Sequence, residues 1–259
     1  YDRSFHAMQG RAQTITAYSY PPAPWLFKAS RIHYQFRQVA TPAALPTVPD
    51  DGIDLLSLNG NTLGGFFAVE YESSPVGPYK EVAVLSSLVA RQWGLGGIGA
   101  WASHIFVDSE AAAEAGKDIW GLPASVVQID FDASSIVGNE NDDAPVSFFL
   151  SDEMVKVSNW AKSKEDTTSS FPLDVTLPSF SGCLDSSASG EDNNSALLRY
   201  PLRIFETKSF SIAAAGEISY TGDDKSLQAI VESSQSLLSI NVGGVNLCAG
   251  VPDIISTPR

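Results

Sequence analysis

The 259-residue sequence predicts an α+β domain that is mainly β, and three observations lead there. Apolar runs of strand length recur along the chain, separated by turns rich in Gly, Pro, Asp and Ser. Only one segment is well specified as a helix by its own residues. The connections are long and no internal repeat is evident, so the strands read as one domain and not as an array.

Residues 1–20 are polar without periodicity and read as an N-terminal arm; residues 21–259 form the single domain. Pro21-Pro22-Ala23-Pro24 is a stiff spacer, because proline fixes φ and lacks a donor. Trp25–Phe27 and Ile32–Phe36 follow as strand material, and a loop carrying Pro42, Pro46 and Pro49 ends in the turn Asp50-Asp51-Gly52. Leu63–Tyr71 is a strand whose Gly64-Gly65 pair permits a bend or a close backbone approach. Ser73–Gly77 turns the chain into a second strand, Tyr79–Ala90, so the two form an antiparallel hairpin. Asp108 or Ser109 caps the well-specified helix, Glu110 suits its N-terminal dipole, alanines fill it and Gly116 ends it. Val126–Phe131, Val146–Leu150, Leu202–Ala213 and Leu237–Leu247 are further strands, with a weaker helix over Ser226–Ser236. Gly138–Ala144 and Asp185–Ser195 read as solvated loops, and the Asn193-Asn194-Ser195 sequon carries little weight.

Composition excludes several functions. Hydrophobic residues make up 44% and charged residues 18%, the profile of a globular chain. No apolar run approaches the roughly 20 residues needed to span a bilayer. Thirty acidic against 16 basic residues give a net charge of −14, which repels phosphate backbones; no nucleic acid partner is expected. Cys183 and Cys248 are the only cysteines; they could pair, but reduced thiols are the default in a chain of this size. The start at Tyr1 reads as a processed or trimmed product, leaving any targeting segment outside the residues at hand.

Common catalytic motifs are wanting. Gly94-x-Gly96-x-x-Gly99 leads into Ala100–Val107, which has strand character, so no helix N-terminus would meet a pyrophosphate. That stretch reads as a hairpin connection. His6, His33 and His104 form no metal-ligand pair, no metal or cofactor is called for, and no G-x-S-x-G elbow occurs.

Another set of residues is more specific. Gly77-x-Tyr79-x-Glu81 opens a strand; His104–Glu110 follows as a strand ending in Asp108; then come the alanine-rich helix and the Gly121-Leu122-Pro123 turn. This order resembles the acetoacetate decarboxylase-like superfamily and implies its fold, a central antiparallel β-barrel or sheet with a few short helices. In the decarboxylases the residues after that proline are a lysine pair, one of which forms a Schiff base with a β-keto acid; their activation by desolvation and a neighbouring cation is a known example of pKa control. Here the two positions are Ala124 and Ser125, neither of which can form an imine. Lys117 and Lys80 fall outside the pair. Glu81 matches the family's pocket glutamate and is the one catalytic candidate, as an acid or base. The second pocket glutamate falls near Phe66 and the pocket arginine near Ser30 or Arg31.

Within the superfamily the chain more closely resembles the plant and algal NEOXANTHIN-DEFICIENT-type branch. The supporting residues are Pro22-x-x-Trp25-Leu26-Phe27-Lys28-Ala29-Ser30, Thr62–Phe67, Tyr71–Pro75, Ala100-Trp101-Ala102 and Gly121–Ser125. The longer Gln92–Gly99 loop and the acidic inserted loops depart from that branch. The resemblance implies an apolar isoprenoid ligand, a xanthophyll, and a part in neoxanthin-type carotenoid formation in the plastid, soluble or peripheral to the thylakoid. Trp25, Phe27, Phe66, Phe67, Trp101, Trp120 and Leu122 would line an apolar tunnel, with Tyr79, Ala124 and Ser125 beside the polar Glu81. Two alternatives stay open: a non-catalytic subunit or assembly factor of a photosynthetic membrane complex, and a Schiff-base-independent lyase or hydratase acting on keto acids. Related decarboxylases are oligomers, which makes self-association an expectation.

Overall fold

The computed structural model describes residues 19–50, 52–91, 97–131, 148–150, 154–158, 174–182, 197–213 and 217–255. Most of the N-terminal arm, the two acidic loops and Cys183 lie outside them. Strand β1 (Trp25–Ala40) leads into α1 (Thr41–Ala44), a 3-10 turn (Leu45–Thr47) and β2 (Ile53–Leu55). Next come β3 (Asn61–Ser73), β4 (Tyr79–Arg91), β5 (Ile98–Val107), α2 (Glu110–Trp120), β6 (Ala124–Val126) and β7 (Ile129–Phe131). The second half contributes β8 (Phe148–Leu150), β9 (Met154–Ser158), β10 (Val175–Ser181), β11 (Leu197–Phe205) and β12 (Ser209–Ala213). It ends with β13 (Glu217–Thr221), α3 (Lys225–Ser233), β14 (Gln235–Ala249) and β15 (Asp253–Ile255).

Seven strands close a barrel in the order β14-β1-β3-β4-β5-β10-β11, and β11 returns to β14 through pairs such as Leu202↔Ala249. The barrel is mixed: β10 runs parallel to β5, while its other pairings are antiparallel. Closure removes the sheet edges that would otherwise template aggregation.

The expected hairpin is β3 and β4, with Gly65↔Leu85 through Tyr71↔Tyr79 in register. Gly64 and Gly65 are required by close approach: a Cβ there would collide with the carbonyl oxygens of Leu85 and Gln35. Gly94 and Gly96 lie outside the described residues; Gly97 leads into a strand, β5, which pairs back on β4 at Ala90↔Ile98. Helix α2 is capped by Ser109, whose Oγ accepts from the Ala112 N–H at 3.3 Å. It does not end at Gly116, as the sequence suggests, but at Gly121, with φ 60° and its N–H bonded to Lys117 O at 3.0 Å. Gly116 instead gives packing room, because a Cβ there would already touch Leu122. Thr41–Ala44 and Leu45–Thr47 are helical turns where the sequence suggests a loop, started by prolines at first-turn positions that need no N–H. Val126–Phe131 and Leu202–Ala213 each split in two; the second breaks at Glu206, whose φ is 54°.

Alternation along the strands sends side chains to opposite faces. Phe67, Val69, Tyr71 and Ala83 belong to the inner cluster with Trp25, Phe27, Ile32, Tyr200, Val242 and Leu247. Ala112, Ala113, Ala115 and Trp120 of α2 join it. On the outer face Phe66, Ala68, Val82 and Val84 pack against Leu227, Ile230 and Val231 of α3. A third cluster holds Trp101, Phe180, Val48, Ile53, Val89, Leu197 and Ile255.

Candidate functional site: a carboxyl among tyrosines on the inner face

Glu81 reaches the inner face because the β3–β4 register puts it opposite Val69, with Tyr71↔Tyr79 on one side and Phe67↔Ala83 on the other. On β4's other flank it faces Val107 of β5. Its strand neighbours Val82, Ala83 and Val84 are fully buried, yet Glu81 and Tyr79 keep part of their surface accessible. Protein atoms nevertheless surround the carboxyl closely enough for burial to dominate its titration.

Burial pushes the Glu81 pKa up from 4.5 to about 7; a hydrogen bond from Tyr79 opposes the shift in part. That bond is long, 3.4 Å from the Tyr79 hydroxyl to Oε2. Tyr71, Tyr79 and Tyr200 are held well above the usual phenol range, first by burial and next by the nearby Glu81 charge. All three therefore stay neutral, and all three are close enough to sense the carboxyl. Ring contacts extend the site: Tyr71 lies 4.6 Å from Tyr79 and 4.9 Å from Phe27 between centroids. Trp25 meets Trp120 edge-on at 5.2 Å, and Trp120 lies 6.3 Å from Tyr200.

Arg31, Lys80, Lys28 and Arg37 are engaged elsewhere. Arg31 pairs with Glu70 at 3.9 Å, and the Ser30 hydroxyl donates to the same carboxylate at 3.1 Å. Both positions near which the resemblance puts a pocket arginine are thus tied to Glu70. Lys80 Nζ donates to Ile129 O at 3.0 Å, beside the outer cluster. Lys117 is exposed on α2, and Lys28 pairs with Glu72 at 2.7 Å on the surface. Arg37 is buried among Gln35, Ser234 and Ser236 near the start of β14. No cation of the described residues contributes to the Glu81 shift.

The structure brings together Trp25, Phe27, Phe67, Trp120 and Ala124 in the inner cluster, with Tyr79 and Leu122 packed against it. Phe66 and Trp101 are not part of that set. Phe66 is one residue out of phase with Phe67 and packs in the outer cluster with α3. Trp101 belongs to the third cluster and donates from Nε1 to Thr47 O at 2.6 Å. Ser125 alternates outward from Ala124 and is exposed. Sequence reasoning missed Tyr71 and Tyr200. Tyr71 could have been found as the hairpin partner of Tyr79; Tyr200 carries no local signal, because only barrel closure brings it near.

Of the histidines, His104 serves the outer face. Its Nδ1 lies 2.9 Å from Ser103 Oγ and its Nε2 3.1 Å from Asp224 Oδ2, the N-cap of α3. Burial lowers its pKa against the pull of Asp224. Among the described residues no group of three or more His, Cys, Asp or Glu could hold a metal ion, and no helix is long and apolar enough to cross a membrane. Cys248 is a free thiol.

The closed seven-strand mixed barrel with its short helices is the acetoacetate decarboxylase-like fold. Acetoacetate decarboxylase from Legionella pneumophila superimposes with a TM-score of 0.66 at 16% identity, over 99% of this chain and 98% of that one. The enduracididine biosynthesis enzyme MppR gives 0.60 at 14% identity, covering 93% and 94%. In sequence the chain is similar to the protein NEOXANTHIN-DEFICIENT 1 of Solanum lycopersicum, 34% identical over 121 residues, and of Arabidopsis thaliana, 32% identical over 125 residues. Those matches cover 47% and 48% of this chain but only 39% and 43% of the relatives, so the chain spans about two-fifths of the proteins it matches. No protein-family model matches the chain.

Proposed function

We propose that this chain binds an apolar isoprenoid, a xanthophyll, inside its barrel and assists neoxanthin-type carotenoid formation in the plastid. The observation that carries the reading is the inner face itself: aromatic and aliphatic walls around the Glu81 carboxyl with a pKa of about 7. Likeness to NEOXANTHIN-DEFICIENT 1 proteins supports the pigment class. Decarboxylation through an imine is set aside because Ala124 and Ser125 carry no amine where the resemblance puts the lysine pair.

A carboxyl that titrates near neutrality suits the chemistry. Converting an epoxide to an allenic alcohol requires a proton on the epoxide oxygen and loss of a carbon-bound proton. Protonated Glu81 donates the first; the resulting carboxylate accepts the second, so the isomerisation consumes no net proton. Exclusion of water by the barrel keeps the intermediate cation from being quenched. The test is the absorption spectrum of an epoxide-bearing xanthophyll mixed with purified protein. A shifted, protein-retained spectrum is expected; free pigment with an unchanged spectrum overturns the reading. Retention of pigment with no conversion, unchanged in Glu81→Gln, would assign a carrier or assembly role instead.

A further inference from the structure

We propose that the barrel interior selects ligands by charge, taking the hydroxyl, epoxide or carbonyl oxygen of an uncharged molecule at Glu81 and turning away a carboxylate of the same shape. The inference rests on the apolar-ligand reading above and adds a property that the fold does not dictate.

Three observations carry it. Glu81 is the acidic member of the inner rows, flanked by Val69 and Val107, and its hydrogen-bond partner is the neutral Tyr79 hydroxyl. The basic side chains that might have compensated a ligand carboxylate are held by other groups: Arg31 by Glu70, Lys80 by Ile129 O and Arg37 by Gln35, Ser234 and Ser236. The third is Ala124, buried in the inner cluster with its cross-strand partner Ile105, which in turn faces Ala83. The row next to Glu81 is therefore Ala83, Ile105 and Ala124, without an amine. A buried anion survives only when paired or well hydrogen-bonded. A ligand carboxylate entering this interior would lose its water, find no cation among the described residues and meet a second carboxyl.

The oxygen of an alcohol, epoxide or ketone meets a different situation. Glu81 donates to it when protonated and accepts from an alcohol when ionised, while Tyr71, Tyr79 and Tyr200 remain neutral. The 3.4 Å contact between Tyr79 and Glu81 is long enough to yield to a shorter bond from the ligand. Aromatic walls from Phe27, Trp25 and Trp120 take the hydrocarbon part.

Two probes of one shape separate the cases: all-trans-retinol and all-trans-retinoate, titrated at pH 8.5 into the full chain. Tryptophan quenching reports binding, since Trp25 and Trp120 belong to the inner cluster. Retinol is expected to bind at least tenfold more tightly than retinoate, and Glu81→Gln is expected to narrow that gap severalfold by removing the like charge. Equal affinities overturn charge selection and leave the apolar-ligand reading standing. A gap that Glu81→Gln leaves untouched overturns the role of Glu81. Binding of neither probe sinks the apolar-ligand reading, and this inference with it. Circular dichroism of the variant, which is close to isosteric, distinguishes a lost fold from a changed preference.

Discussion

Ala124 and Glu81 face the same barrel interior from strands β6 and β4: Ala124 shares a cross-strand row with Ile105 and Ala83, and Glu81 is the next inward residue along β4. The row beside Glu81 is thus made of methyl and aliphatic groups, and the Tyr79 hydroxyl is the donor to its carboxyl. The consequences concern charge, packing and stability.

The pH dependence of stability has a definite sign. Glu81 titrates at 4.5 when unfolded and at about 7 when folded, so the folded state holds the proton more tightly between those values. Its contribution is fully present below pH 4.5 and is lost as the pH rises through about 7. Glu81→Gln removes that loss. Relative to the unmodified chain, the variant should gain up to roughly 3 kcal/mol between pH 4.5 and pH 8, a bound set by the size of the shift. Urea denaturation at several pH values checks this; parallel curves for both proteins would contradict it.

Removing the Tyr79 hydroxyl should move the carboxyl further up. The hydrogen bond from Tyr79 lowers the Glu81 pKa against the burial effect, so Tyr79→Phe should raise it above about 7. Infrared difference spectra of the carboxyl band across a pH series, with Glu81→Gln as the blank, read the midpoint directly. A midpoint that falls would mean the hydroxyl does not donate to Glu81.

Phe66 and Phe67 should separate cleanly. Phe66 is almost fully buried under α3, and Phe66→Ala should cost about 3–5 kcal/mol by leaving a cavity there. The milder Phe66→Leu should leave the spectrum of a bound pigment unchanged, whereas Phe67→Leu, on the inner face, should shift it. Melting curves and absorption spectra of the pair give both readouts. The reverse pattern would mean the two faces are exchanged.

The cap of α3 is a local test of the outer face. Asp224 Oδ1 accepts from the Ser226 and Leu227 N–H groups at 2.8 and 3.0 Å, while Oδ2 meets His104. Asp224→Ala should cost about 1–2 kcal/mol through the cap. Its loss should also lower the His104 pKa further, because Asp224 is the group opposing burial there. Histidine proton resonances followed against pH would show the shift; an upward shift contradicts it.

The sequence announces what short-range chemistry decides. The β3–β4 hairpin is legible because Ser74 and Gly77 build the turn themselves, with Ser74 Oγ bonded to Val76 N–H at 3.2 Å and Gly77 at φ 95°. Glu81 is legible through the same local pattern. Phe66 and Phe67 are harder: β3 is buried on both faces, so its run of apolar residues gives no alternation from which to read direction. Gly116 misleads because a glycine that makes packing room inside a helix looks like one that ends it. Tyr200 stays hidden because its place beside Trp120 depends on β11 closing against β14, a pairing distant in sequence. The third and outer clusters, and with them Trp101, depend on long-range packing in the same way.

The proposed ligand of the inner face is an uncharged apolar molecule held against Glu81. Native mass spectrometry of the chain purified from its own source, with the bound species released and identified, tests it most directly. A neutral, oxygen-bearing isoprenoid in about one-to-one amount is expected. A co-purifying keto acid or other carboxylate in the barrel, or protein that carries nothing and takes up no isoprenoid when offered it, would contradict it.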